Sequence, residues 1–182
     1  MNAQSPQHHT STLIRRATAI DAGLLAELGA RTFSETFAAD NPPADMDAHL
    51  AASFSPARQA EELIDPRTTY LLAEIAGAAA AGYAMLRAGA NPPACVTGPL
   101  PIELVRLYVL REWLGRGVGA ALMRACLDEA RRSQHQTLWL GVWEHNQRAQ
   151  AFYRQWDFRV VGTHIFQLGS DAQIDLLLER AV

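Results

Sequence analysis

Two spacings of apolar residues take turns along the chain. Short alternating or continuous apolar runs predict strands at 11–18 (STLIRRAT), 68–77 (TTYLLAEIAG), 78–88 (AAAAGYAMLRA), 102–109 (IELVRLYV) and 137–143 (TLWLGVW), with two closing strands around 158–168 and 172–180. Between them, apolar residues three and four apart predict helices. Asp21 is placed to cap a helix running through LLAELGARTFSETFA, and ADMDAHLAASF and SPARQAEELID form two shorter ones, the second with Ser55 as N-cap and Pro56 at N1. A hairpin turn falls near Gly77, and the proline- and glycine-rich stretch 89–101 is an irregular loop. Three glycines in five residues (Gly115, Gly117, Gly119) then lead straight into a helix, and NQRAQAFYRQW (146–156) forms another. The mixture is an α/β (α+β) chain without repeats or a low-complexity linker.

A length of 182 residues fits one domain with a sizeable core. We expect a disordered tail at 1–10 and a single domain over 11–182. No apolar run reaches the roughly 18 residues of a membrane span, and MNAQSPQHHTST has no charged start followed by an apolar stretch, which predicts a soluble, cytoplasmic protein without a membrane partner. A formal charge of −3 argues against nucleic acid. Cys95 and Cys126 stand far apart, outside any CxxC or His/Cys spacing, so neither a disulfide nor a metal site is expected. All 16 basic side chains are arginine. Without lysine there can be no P-loop lysine and no pyridoxal Schiff base.

A glycine-rich turn feeding a helix N-terminus is an anion trap, because the first-turn N–H groups lack intrahelical partners and the helix dipole is positive there. The dinucleotide fingerprint G-x-G-x-x-G is not met, since the spacing is G-x-G-x-G. The following strand ends in Trp143 and Glu144 without a clear ribose-binding acid, so a Rossmann enzyme fits poorly.

The stretch ELVRLYVLREWLGRGVGAALM resembles the acetyl-CoA-binding motif of the GNAT N-acetyltransferases, and LGVWEHNQRAQAFYRQWDF resembles their second motif. Along nearly the whole chain the similarity is to the PaiA-type bacterial branch, associated with spermidine and spermine acetylation. The resemblance implies one domain built on a mixed, mostly antiparallel sheet of about seven strands, splayed between strands 4 and 5, with four or five flanking helices. It implies acetyl-CoA as cosubstrate, no metal, and direct transfer to a primary amine of a small molecule, with a polyamine favoured. A protein or peptide acceptor and a non-catalytic acetyl-CoA-binding regulator are the alternatives. Exposed strand edges near the C-terminus make a homodimer reasonable.

Carried over residue by residue, the resemblance places the pyrophosphate against Gly115, Arg116, Gly117, Val118, Gly119 and Ala120. The absence of Cβ atoms at the three glycines lets the phosphates approach the amides. Where the family usually has Gln or Arg, this chain has Leu114, which removes a side-chain contact and leaves Arg116 as the cationic neighbour. The main chain of Leu107, Tyr108 and Val109 would pair with the pantetheine arm, and the Val109 amide would face the oxyanion. Gly141 in the partner strand suits a close approach or a simple bulge.

Asn146 and Tyr153 are two helical turns apart, on one face with Ala149 and Trp156. The resemblance gives Asn146 to the cofactor arm and makes Tyr153 the acid that protonates the departing thiolate. The other readings are an N-cap and a core aromatic. Asp157 stands where the family commonly has Gly, and Asp tolerates the left-handed conformation of a helix end. An alkylammonium must lose a proton before it can attack. Glu103 matches an acidic position of the family and is the candidate base, with Glu144 second; a surface carboxylate is the alternative for Glu103. Acceptor contacts are expected from Phe33, Glu35, Phe37 and Glu144. The run Glu35, Asp40, Asp45 and Asp47 against Arg31, with His49 beside it, forms either an acidic aromatic groove for a polycation or a solvated helix face.

Overall fold

The computed structural model describes residues 12–75, 80–89, 91–169 and 171–182. The tail at 1–10 and the turn near Gly77 lie outside them. In chain order the elements are β1 (Thr12–Arg16), α1 (Ala22–Phe37), α2 (Pro43–Ser53), α3 (Pro56–Ile64), β2 (Thr68–Ile75), β3 (Ala80–Ala88), β4 (Pro101–Val109), α4 (Val118–Arg132), β5 (Thr137–Trp143), α5 (Gln147–Gln155), β6 (Arg159–Leu168) and β7 (Asp171–Ala181). The strands form one sheet in the order β1-β2-β3-β4-β5-β7-β6. Among the described residues the β4–β5 pair is parallel and the others antiparallel, as expected of a mixed, mostly antiparallel seven-stranded sheet with five helices.

Each face of the sheet has its own apolar cover. On one face α4 sets Leu122, Met123, Cys126 and Ala130, all fully buried, against Leu71, Ala84, Leu104 and Leu138 of the strands. Those four positions recur at three- and four-residue spacing, so one stripe of the helix meets the sheet. Truncating Leu122 to Ala would cost about 2–5 kcal/mol. On the other face Leu25 and Leu28 of α1 pack on Leu72, Tyr83 and Met85, while Phe33, Met46, Phe54 and Leu168 form a second cluster beneath α2.

Local signals place several boundaries. Ser55 Oγ accepts from Arg58 N at 3.2 Å and Pro56 opens α3, as predicted. Asp157 follows α5 at φ 60°, the left-handed conformation expected of it. Asp21 stands before α1, but its carboxylate does not cap that helix. It accepts from Thr18 N at 2.7 Å and from Arg15 Nη2 and Nη1 at 2.8 and 2.9 Å, so it closes the short turn that leads into α1. A nearby arginine with two donors outcompetes the lone first-turn amide.

Candidate active site

β4 and β5 pair over three residues, Pro101–Glu103 against Thr137–Trp139, and then separate. A cleft of about 1120 Å³ passes between them, above the roughly 300–1,000 Å³ of ordinary small-molecule pockets. Leu104 to Val109 border it on one side, and Gly141, Val142 and Trp143 on the other.

The glycine turn forms one end. Gly115 and Gly117 have φ of 73° and 85°, where side chains with a Cβ are strained, and Gly117 is the N-cap of α4. A Cβ built on either residue meets nothing within 4 Å, so the space above the turn is open. Leu114, Gly115, Gly117, Gly119 and Ala120 line the cleft. The Val118 side chain is buried in the core, which leaves its amide as the group it can offer. Arg116 lies over the Trp113 ring at 5.2 Å and is off the cleft wall. Three cations line the wall, Arg106, Arg111 and Arg148; sequence reading passed over Arg148 although it stands two residues after Asn146 in the quoted motif.

α5 and its two caps contribute Asn146, Ala149, Phe152, Tyr153 and Trp156 to the wall. Asn146 Oδ1 accepts from Ala149 N at 3.1 Å, so the residue is an N-cap whose amide nitrogen stays available. The Tyr153 ring packs against Phe152 and Phe158, each at 5.5 Å, which makes it a core aromatic as well as a cleft residue. Its hydroxyl has no hydrogen bond among the described residues. Burial pushes the phenol well above its ordinary value, so it holds its proton at neutral pH.

The opposite end is aromatic. Phe33 and Phe37 of α1 stand 4.5 Å apart, Phe37 meets Trp143 at 5.9 Å, and Phe166 of β6 adds another ring. His49 stacks on Phe33 at 4.4 Å from behind, and burial lowers its pKa, which favours the neutral form. Glu35 reaches the wall but is already engaged: Oε1 accepts from Arg31 Nε and Oε2 from Arg111 N, both at 2.9 Å. Asp40, Asp45 and Asp47 are not on the wall, so the run at 31–50 does not assemble an acidic groove around the cleft. The remaining carboxylate on the wall is Asp175 of β7, which sequence reading did not single out. Glu103 and Glu144 are both off the wall. Glu103 faces Arg87 and Trp139 across the sheet, and burial raises its pKa while Arg87 and His164 oppose that rise. Glu144 follows the end of β5, with Oε1 3.9 Å from His145 Nε2. Gly141 sits in an unbroken β5–β7 register, so it is a point of close approach and not a bulge.

A mixed sheet wedged open between its parallel strands, with an open glycine turn at a helix N-terminus on one side and a tyrosine helix on the other, defines an acyltransferase-like cleft. The chain belongs to the acetyltransferase (GNAT) family, whose model matches residues 30–158. It is 39% identical over 164 residues to an uncharacterized N-acetyltransferase of Mycobacterium bovis, covering 88% of this chain and 97% of the relative. It is 32% identical over 151 residues to another of Lactobacillus delbrueckii subsp. lactis, covering 83% and 86%. In fold it matches the PaiA N-acetyltransferase of Thermoplasma acidophilum, solved in complex with coenzyme A, with a TM-score of 0.77 at 20% identity over 94% of this chain and 99% of that one. It also matches the ribosomal-protein-S18-alanine N-acetyltransferase of Escherichia coli, with a TM-score of 0.68 at 16% identity over 94% of each.

Proposed function

We propose that the protein transfers an acetyl group from acetyl-CoA directly to a primary amine of a small molecule, with polyamines the first acceptors to test. The observation that carries this reading is the cleft itself: it joins the glycine turn, with open space above it, to an aromatic end holding one carboxylate, Asp175, not engaged by arginine among the described residues. The open space above Gly115 and Gly117 fits a pyrophosphate held by the amides of residues 115–120. Arg148 and the free amide of Asn146 support this fit from the facing helix. The edge of Leu107, Tyr108 and Val109 that faces β5 has no ladder partner, which leaves main-chain groups for an amide-bearing arm, and the Val109 amide for a developing oxyanion.

Acetyl-CoA supplies the thioester carbonyl that the amine attacks and the thiolate that leaves. Tyr153, holding its proton in a buried setting, donates to the leaving sulfur. Phe33, Phe37, Trp143 and Phe166 shelter the alkyl part of the acceptor and attract its cationic end.

The test is thiol release from acetyl-CoA over a panel of spermidine, spermine, a simple diamine, an aminoglycoside and peptides bearing free N-termini or lysines. Turnover with the small amines is expected. Turnover with the peptides alone would overturn the small-acceptor reading, and coenzyme A binding without turnover on any amine would make the protein a binding module.

A further inference from the structure

Three strands bring a titratable cluster to the acceptor face of the sheet. His164 of β6 and Asp175 of β7 are directly paired in register, and Asp175 also faces Trp143 of β5. His164 Nε2 stands 3.5 Å from Asp175 Oδ2. Gly141 of β5 makes room for both: a Cβ there would stand 3.2 Å from Asp175 Oδ2 and 3.4 Å from His164 Nε2. The Asp175 side chain is 16% exposed and lines the cleft beside Tyr108. The Gln173 amide nitrogen, two residues before it on the wall, is already committed to Asn41 Oδ1 at 2.6 Å.

Resting on the acetyl-transfer reading above, we propose that Asp175 is the base that takes the proton of the incoming ammonium, with His164 as the residue that positions it. The ammonium yields one proton to the Asp175 carboxylate, which later releases it to water. The freed nitrogen pair forms the C–N bond as the C–S bond of the thioester breaks. The second nitrogen proton leaves for water, from which Tyr153 regains the proton it gives to the departing sulfur, so one proton is released in all. Nothing else is consumed.

The surroundings match that task. Burial raises the Asp175 carboxyl, and its hydrogen bond and charge interaction with His164 oppose the rise. The other titratable groups felt there are few. Tyr108 of β4 has its phenol pushed up to about 12 by burial, with Arg106 opposing, so it is neutral. Glu103 of β4 is raised by burial and feels the opposing charges of Arg87 of β3 and of His164. Glu103 is off the cleft wall, whereas Asp175 lines it. A carboxylate whose pKa burial raises is a better proton acceptor for catalysis than an ordinary surface acid.

Two measurements test the assignment on the full chain. The first needs no acceptor: with carbon-13-labelled aspartate, one side-chain carboxyl should titrate above the usual range, vanish in Asp175→Asn, and move further up in His164→Leu but not in His164→Gln, which keeps a donor. Absence of that resonance, or an unchanged one in Asp175→Asn, overturns the proposal. The second is the pH profile with spermidine. Asp175→Asn should retain coenzyme A affinity by calorimetry, lose about 10²-fold or more in kcat at neutral pH, and recover as pH rises and free amine accumulates. Its deficit should shrink with a fluorinated ethylamine, whose ammonium gives up its proton more readily. An Asp175→Asn profile parallel to wild type and within threefold of it, or a larger loss in Glu103→Gln, overturns the proposal. A wild-type protein with the raised carboxyl but no turnover on any amine would instead refute the acetyl-transfer reading.

Discussion

Glu103 faces Trp139 in the last paired position between β4 and β5, and every residue of those two strands on the cleft wall lies beyond that pair. The pair marks the apex of a wedge. Before it the sheet is continuous; after it the two strands border a cleft and leave main-chain groups to be satisfied from within it. The same relationship explains why an acid at position 103 is off the cleft wall while an acid at position 175, opposite Trp143 beyond the pair, lines it.

Gly117→Val should weaken coenzyme A binding by at least tenfold without unfolding the protein. A left-handed β-branched residue costs about 1–2 kcal/mol of strain, which a domain of this size tolerates. Its branches would also enter the space now open above the turn. Calorimetric titration alongside a thermal melt checks both parts. Unchanged affinity in a folded variant would remove the turn from phosphate binding.

Tyr153→Phe should keep coenzyme A affinity within about threefold and lower kcat by about 10²-fold or more, because the ring stays packed while the proton donor goes. The measurement is kcat at saturating amine in single-turnover mode, where chemistry and not product release is read. A value within twofold of wild type would leave Tyr153 as a core aromatic only.

Much of this architecture was legible. The strand bounds at 137–143, the Ser55 and Asn146 caps and the left-handed Asp157 follow from local rules that act within a few residues, and the structure shows each of them. The acceptor side was not legible, because its contacts depend on register and on distant chain. His164 and Asp175 meet only after β6 shifts register between Val160 and Gly162, an offset no periodicity reports. Glu35 and Arg31 are an i,i+4 pair that could be read, whereas the hold of Glu35 on Arg111 N spans 76 residues and could not. Asp45 illustrates the same limit: it stands against Gly169, between β6 and β7, and not over the cleft.

Acid should destabilise the protein partly through Asp21. Hydrogen bonds from Arg15, and then from Thr18, hold its carboxyl at about 2 against burial, below the unfolded value of 3.8. A folded pKa below the unfolded one means the contribution is fully present above about pH 4 and disappears as pH falls toward 2. At neutral pH it is about 2 kcal/mol. Asp21→Asn should lower the urea midpoint at pH 7 and flatten its fall between pH 4 and 2. Parallel midpoint curves for the two proteins would refute the linkage.

Tyr83 and Tyr70 offer a comparison of chemically identical deletions with opposite expected signs. Their rings are 6.0 Å apart on neighbouring strands under α1 and α3. The Tyr70 hydroxyl donates to Glu62, lies 3.0 Å from Gln59 Oε1 and accepts from Arg106 Nη1 at 2.7 Å, and Glu62 itself is a buried carboxylate paired with Arg106. Removing it unpicks a charged network, which costs about 1.5–3 kcal/mol. The Tyr83 hydroxyl is equally buried but has no hydrogen-bond partner among the described residues, so folding strips it of water for nothing in return. Tyr83→Phe keeps the ring and deletes the orphan, and should raise stability by about 1 kcal/mol. Urea unfolding of both variants reads the difference directly. A Tyr83→Phe loss as large as that of Tyr70→Phe would mean that a buried water satisfies the Tyr83 hydroxyl, since such a molecule is costly to strand once its partner is removed.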